Sequence, residues 1–209
     1  DRAHRLIRAE SIQRMNGQLL SRYRFRHILF QKYLYGTLDE VERVHLHERV
    51  GTTLERLQGA EGQDGATAVQ LALHFERAKS THKAIYYLQQ AGEKAIRLSA
   101  YPEAFAHLTR AVTLLKSLPD PASEEHRLDR AEKELNLYLS LGRAHMYSNP
   151  DFEWDRAVTK ARNLCHQIGK RSQLCRVLGD MAITHYVRAA HGRARKLAEE
   201  ALVLGEEVD

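Results

Sequence analysis

The sequence has 209 residues, of which 43% are hydrophobic, 28% are charged and only 7% are aromatic. These values suit one large or two small soluble domains, and the low Pro and Gly content excludes a low-complexity or collagen-like chain. No run of about 18 apolar residues occurs, so the sequence predicts no membrane-spanning helix. Its two cysteines are too few for a disulfide framework, which favours a reducing, cytoplasmic location.

The chain begins at Asp1 without an initiator Met or the apolar run of a signal peptide, so we expect it to be a piece of a longer protein. Its net charge of +5 is unevenly distributed. Residues 1–60 hold 11 Lys and Arg against 7 Asp and Glu, whereas residues 61–209 hold 21 against 20. A small basic excess of this kind is typical of a solvated face, and we therefore expect a protein partner rather than nucleic acid.

Two breaks divide the sequence. Residues 59–65 contain three glycines and no large apolar side chain, which is typical of a flexible connector. Residues 117–123 contain two prolines, which cannot lie inside a helix. We therefore expect a first domain at residues 1–58 and a second at residues 66–209, with a further break near residues 117–123.

The first domain is predicted to open with a β-hairpin. Aromatic residues alternate with arginines over residues 21–27, which is the period of a half-buried strand. The Asn-Gly dipeptide at residues 16–17 is a strong signal for a two-residue hairpin turn. A short apolar helix is expected from residue 28, followed by a second helix that begins at a capping box of Thr37 and Glu40.

Beyond residue 65, apolar residues recur at the three- and four-residue spacing of amphipathic helices. Pro102 occupies a position where a first-turn proline is tolerated, and Ser123 is a plausible N-cap. Seven helices are predicted, near residues 66–78, 82–98, 101–117, 124–147, 151–168, 172–188 and 191–207.

A short pattern recurs in four of these helices. An alanine is followed by a small residue or leucine four positions on and by another three further: Ala84/Leu88/Ala91, Ala104/Leu108/Ala111, Ala157/Ala161/Leu164 and Ala194/Ala198/Ala201. Small residues let helix axes approach closely, and self-similarity at a period of 37 residues in the last two copies indicates stacked helical hairpins. The pattern resembles a degenerate tetratricopeptide repeat (TPR). The predicted fold class is an all-α, TPR-like helical-hairpin solenoid with a short N-terminal β-hairpin.

The second strand of this hairpin and the residues after it carry a second resemblance. The string from Tyr23 to Gln31, followed by Leu34-Tyr35 and then by Leu38, Arg43 and His47, resembles the end of the winged-helix region of bacterial STAND-type signalling ATPases. Residues 91–95 and 101–108 are similar to the first sensor repeat of the same proteins. The resemblance implies a parent protein with a P-loop ATPase module, a winged helix and a TPR-like sensor array, often joined to a nucleotide cyclase or a transcription-activating domain.

The nucleotide chemistry of that family is not expected within this chain. No Gly-x4-Gly-Lys-Ser/Thr motif occurs, so ATP or ADP is expected only in the missing ATPase module. The resemblance implies that His27, in the intact parent, touches the phosphates of the bound nucleotide and reports ADP against ATP. An imidazole donor at the end of a strand suits that contact. The structural alternative is that His27 packs beside Phe25 and Phe30.

Other candidate sites for chemistry are poorly supported. His45 and His47 lie two apart on a predicted helix and therefore on different faces, so we expect no metal there. Cys165 and Cys175 lack the paired spacing of a zinc site and fall at apolar helix positions. No nucleophile and base combine in a recognisable signature, so we expect no enzymatic activity and no cofactor in this fragment.

The predicted function is that of a non-catalytic sensor and protein-interaction segment of a signalling or transcription-regulating ATPase. It would bind a protein or effector, or pack against the ATPase module, and relay that event to an output domain. Two alternatives stay open: a basic hairpin that contacts DNA through Arg22, Arg24 and Arg26, and a free-standing TPR-like scaffold. Four aromatic residues are candidate partner-binding anchors, unless they fill space between helices: Tyr138, Tyr147, Trp154 and Tyr186.

Overall fold

The structure, a computed structural model, describes residues 6–15, 18–58, 65–148 and 153–206. The chain divides into two compact units, Asp1–Tyr87 and Leu88–Asp209. Each unit is described separately below. The domain division expected from sequence, at the connector after residue 58, stays a prediction.

The first unit opens with an antiparallel hairpin of β1 (Ile7–Met15) and β2 (Gln18–Phe25). Ile7 pairs with Phe25 and Arg8 pairs with Arg24, so at this end of the hairpin the apolar pair and the basic pair lie on opposite faces. The register shifts between Ala9 and Ser11. Both predicted strands are confirmed, and the predicted Asn-Gly turn at residues 16–17 lies outside the described residues.

Two helices follow, α1 (Ile28–Thr37) and α2 (Glu40–Gln58). The capping box of α2 is formed by Asp39 and Glu42: Asp39 Oδ1 accepts from the Glu42 N–H at 2.8 Å, and Glu42 Oε2 accepts from the Asp39 N–H at 3.0 Å. The prediction that Thr37 and Glu40 form this box is therefore wrong. The Thr37 hydroxyl instead donates to the Leu34 carbonyl at the end of α1.

The core of this unit forms where α3 (Gly65–Arg77) packs on α2. Phe75 is fully buried and stacks on Tyr87, with ring centroids 5.6 Å apart. A Cβ at Gly51 would lie 3.0 Å from the Phe75 ring, so a glycine lets α2 approach it. Glu55 accepts hydrogen bonds from Lys83 at 2.8 Å and from the Tyr87 hydroxyl at 2.6 Å, which tie α2 to the start of α4 (Thr81–Arg97).

The second unit continues with helices that pack in chain order, each on the next. They are α5 (Tyr101–Ser117), α6 (Glu124–Ser148), α7 (Glu153–Ile168), α8 (Arg171–Val187) and α9 (His191–Glu206). All seven helices predicted beyond residue 65 are confirmed, with ends within two residues. Pro102 lies in the first turn of α5, and the Ser123 hydroxyl accepts from the His126 N–H at 3.3 Å as the N-cap of α6.

The recurring alanine pattern marks buried helix faces. Ala104, Leu108 and Ala111 are fully buried, and the corresponding residues of α4 are buried as well. A Cβ at Gly92 would lie only 2.6 Å from Leu108 Cγ, so α4 and α5 are in close contact at this point. In α9, by contrast, Ala194 is buried and Ala198 is exposed.

Four turns between helices share one backbone geometry. The residues Lys79, Ser99, Gly169 and Ala189 all have a positive φ, between 57° and 69°. In each turn the next N–H bonds to the carbonyl five residues earlier, as from Ala190 to His185 at 2.9 Å. This repetition, together with the element order, makes the chain an all-α, TPR-like helical-repeat fold with an N-terminal β-hairpin.

None of the helices in the described ranges has the length and apolar character needed to cross a bilayer.

Candidate protein-binding groove

An open apolar groove of about 530 Å³ lies along α8 and α9 of the second unit. On α9 the lining positions follow the spacing i, i+3, i+4 and i+7, so they share one face of the helix. The lining residues are Ala182, Ile183 and Tyr186 from α8, and His191, Ala194, Arg195 and Ala198 from α9.

Small residues allow α8 and α9 to pack closely. At the end of this helix pair away from the groove, the Cys175 thiol donates to the Ala201 carbonyl at 2.9 Å, and a Cβ at Gly205 would lie 3.8 Å from Cys175 Sγ. Ala182 and Ala194 are both buried. Because these side chains are short, the larger ones of α8 stand above the contact and form a wall.

That wall is exposed. Ile183 is 60% exposed and Tyr186 is 66% exposed, although both are large apolar residues on a regular helix. The Tyr186 ring meets the His191 ring edge to face, with centroids 5.3 Å apart. A tyrosine held in this way offers a large surface with few rotatable bonds, which is typical of the anchors of protein interfaces.

The charged group that lines the groove is the guanidinium of Arg195. It pairs with Glu199 one turn further along α9, at 2.8 Å from Nε to Oε1. This hydrogen bond raises the pKa of Arg195. Both side chains are well exposed to solvent, so the pair contributes little to stability. Another charged group can therefore replace either partner at little cost in free energy.

The four aromatic residues expected to anchor a partner are placed differently. Tyr186 lines the groove, whereas Tyr138 is only 7% exposed and packs in the core of the same unit, with the Lys116 ammonium over its ring. The side chains of Tyr147 and Trp154 lie outside the described residues. Among the described side chains, the groove therefore contains one of the four candidates, and sequence reasoning missed Ile183 and Arg195 beside it.

His27 is the N-cap of α1. Its Nδ1 accepts from the Leu29 N–H at 3.2 Å, and its ring meets the Phe30 ring edge to face at 6.4 Å. These contacts are local and the side chain is exposed. They satisfy one imidazole nitrogen, and the role as a phosphate sensor in an intact parent stays a prediction.

A partly buried cluster in the first unit was not predicted. His47 Nε2 lies 2.9 Å from the Tyr35 hydroxyl, and His47 Nδ1 lies 2.9 Å from Nδ1 of His74. Sequence reasoning considered His47 only beside His45, placed the two on different helix faces and did not foresee His74 as its neighbour. Within the part of the chain that the structure describes, no three His, Cys, Asp or Glu side chains are grouped to hold a metal ion.

The cysteines offer little reactivity. Cys165 is 1% exposed, and burial raises the pKa of its thiol, which disfavours the nucleophilic thiolate. Cys175 is committed to the Ala201 carbonyl at the contact of α8 with α9.

No family model and no curated protein matches the chain. Among solved structures, the crystal structure of MamA is similar to it. MamA is 17% identical, the match covers 88% of this chain and 97% of that chain, and the TM-score is 0.34.

Proposed function

We propose that the chain is a non-catalytic protein-interaction segment that binds an amphipathic helix of a protein partner in the α8–α9 groove. The observation that carries the proposal is the exposure of Ile183 and Tyr186 above a floor of alanines. Large apolar side chains on a folded unit are stabilised when a partner covers them.

A helix is the occupant that suits this groove best. The floor residues Ala182 and Ala194 have no side chain beyond Cβ, so the axis of a third helix can approach α8 and α9 closely. Ile183 and Tyr186 then pack between apolar residues spaced three and four apart on that helix. The non-catalytic assignment is supported by the lining, which combines one imidazole and one guanidinium with apolar groups and a tyrosine.

The wider context that we propose is a multidomain signalling ATPase whose helical repeats sense a partner and relay its binding to an output domain. The resemblance of residues 23–35 to the end of a winged-helix region supports this context. So does α1, which is rich in apolar residues and buries none of them. A free-standing scaffold of the same repeats is compatible with the groove and is the alternative.

The hairpin offers a second candidate function, binding to DNA. Its register places Arg8 opposite Arg24, and two like charges directly opposite are stabilised when an anion lies between them. Arg24 is already paired with Glu10 at 2.6 Å, which reduces the free charge of this face. Salt-sensitive binding of duplex DNA that is lost when Arg22, Arg24 and Arg26 are changed to Ala would support this candidate over the groove.

The groove is tested by selecting helical peptides from a displayed library on the full chain and measuring their affinity by calorimetry. We expect the selected peptides to carry apolar residues at i, i+3 or i+4. Their affinity should fall by at least about tenfold in Ile183→Asp, because a carboxylate then lies in an apolar contact. Val203→Asp is the matched control, since Val203 is 57% exposed on α9 but does not line the groove. Equal binding to both variants would place the interaction elsewhere.

A further inference from the structure

We infer that the helix bound in the α8–α9 groove is acidic: an apolar stripe flanked by Asp or Glu. This inference rests on the proposed function and specifies the chemistry of its partner.

From Met181 to Ala198 the chain contains no Asp or Glu. The same stretch carries Arg188, Arg193, Arg195 and Lys196. The second unit therefore has a local excess of basic residues in the helices that form the groove, even though the 18 Lys and Arg of residues 88–209 nearly balance their 17 Asp and Glu. A basic partner helix would be repelled here, and an acidic one would be attracted over a distance of about 10 Å.

Arg195 is the group that would meet the partner directly. It lines the groove, and the ion pair that occupies it is with Glu199 of its own helix, 82% and 60% exposed respectively. The pair is solvated on both sides, so an incoming carboxylate can replace Glu199 at little cost. A guanidinium binds a carboxylate through two parallel hydrogen bonds, which fixes the orientation of a helix as well as attracting it.

The acidic groups nearest to this stretch do not oppose the inference. Glu199 is the present partner of Arg195, and Glu200 forms an ion pair with Arg162 of α7. Asp180 lies near the middle of α8, three residues before Ile183, and Arg143 and Arg176 act on it electrostatically. Each of these carboxylates has a basic neighbour, so none of them adds an uncompensated negative charge beside the groove.

The experiment compares two synthetic helical peptides of about 18 residues that share one leucine stripe and differ only in their flanks, which are Glu in one and Lys in the other. Binding to the full chain is followed by fluorescence anisotropy. We expect the Glu peptide to bind at least about tenfold more tightly at low salt, and the difference to shrink as NaCl is raised from about 50 to about 500 mM.

Variants of the ion pair make the test specific. Arg195→Gln should weaken the Glu peptide several-fold, and Glu199→Gln should strengthen it by roughly two- to fivefold because it releases Arg195. Lys196→Gln is the matched control: it removes the same charge from the adjacent residue, which does not line the groove. Equal effects of Arg195→Gln and Lys196→Gln would show a general field and overturn the contact with Arg195.

The Ile183→Asp variant, measured with both peptides, separates the acidic preference from binding in the groove. If both peptides bind equally and both are lost in Ile183→Asp, the groove binds helices and the acidic preference is wrong. If the Lys peptide binds more tightly, the preference is also wrong. If neither peptide binds, or Ile183→Asp changes nothing, the groove is not the binding site and both proposals fall.

Discussion

His47 stands at the centre of a hydrogen-bonded chain that joins three helices of the first unit. Tyr35 comes from α1, His47 from α2 and His74 from α3. The two Nδ1 atoms can share one hydrogen bond only if one carries a proton and the other does not. A charge on either ring is disfavoured: burial, the other histidine and Arg77 lower the pKa of His47, and burial and Arg77 lower that of His74.

The lowered pKa values give this unit a pH-dependent stability. A histidine with a lower pKa in the folded state binds fewer protons than in the unfolded chain, so its contribution is present above a pH of about 6.5 and is lost as the pH falls below it. We expect the protection of α2 and α3 amides, corrected for intrinsic exchange, to fall as the pH is lowered through and below about 6.5, the pKa of an unperturbed histidine.

Two variants check the assignment to this cluster. His47→Gln with His74→Gln should flatten the pH dependence, whereas His45→Gln on an exposed position of α2 should retain it. A pH dependence that survives the double change would show that other groups are responsible. The sequence could not predict this pair because 27 residues separate the two histidines and only the packing of α2 on α3 brings them together.

A residue with a positive φ recurs in four of the turns that join the helices. Ala189 joins α8 to α9 with a φ of 57°, and its Cβ makes this conformation costly for an L-residue. Three of the four turns place Lys, Ser or Ala at this position, and only the fourth uses Gly. The helices themselves were predictable from their periodicity. The turns were not, because glycine, the residue that normally signals such a turn, is absent from three of the four.

Ala189→Gly should therefore stabilise the second unit by roughly 1 kcal/mol, since glycine adopts this conformation without the steric cost. Urea unfolding followed by circular dichroism measures the change. Ala190→Gly is the control, because Ala190 has no positive φ and should gain nothing. A loss of stability in Ala189→Gly would mean that the flexibility of the unfolded chain outweighs the strain in the turn.

Individual elements differ in how much of their apolar surface is covered. In the second unit, α5 and α6 bury whole stripes of alanine and leucine, and the periodic pattern of these residues was sufficient to predict their helices. In the first unit, α1 buries no residue at all, and Ile12 and Tyr23 lie exposed on the apolar face of the hairpin. Periodicity predicted both strands and α1 correctly, but it could not predict whether a partner within the chain covers them.

The hairpin and α1 should therefore be the least protected elements of the protein. A two-stranded hairpin is marginally stable in water, and β1 and β2 pair only with each other within the described residues. We expect hydrogen exchange of the intact chain to show protection factors for β1, β2 and α1 that are at least about a hundredfold below those of α5 and α6. The buried Leu108 and Leu135 mark the slow region for comparison.

Adding an isolated ATPase module of the proposed kind should slow exchange at Ile12, Tyr23 and α1 if that module is their partner. Protection of the hairpin equal to that of α5 in the free chain would contradict this view, because it would mean that the apolar face is already stabilised without a partner.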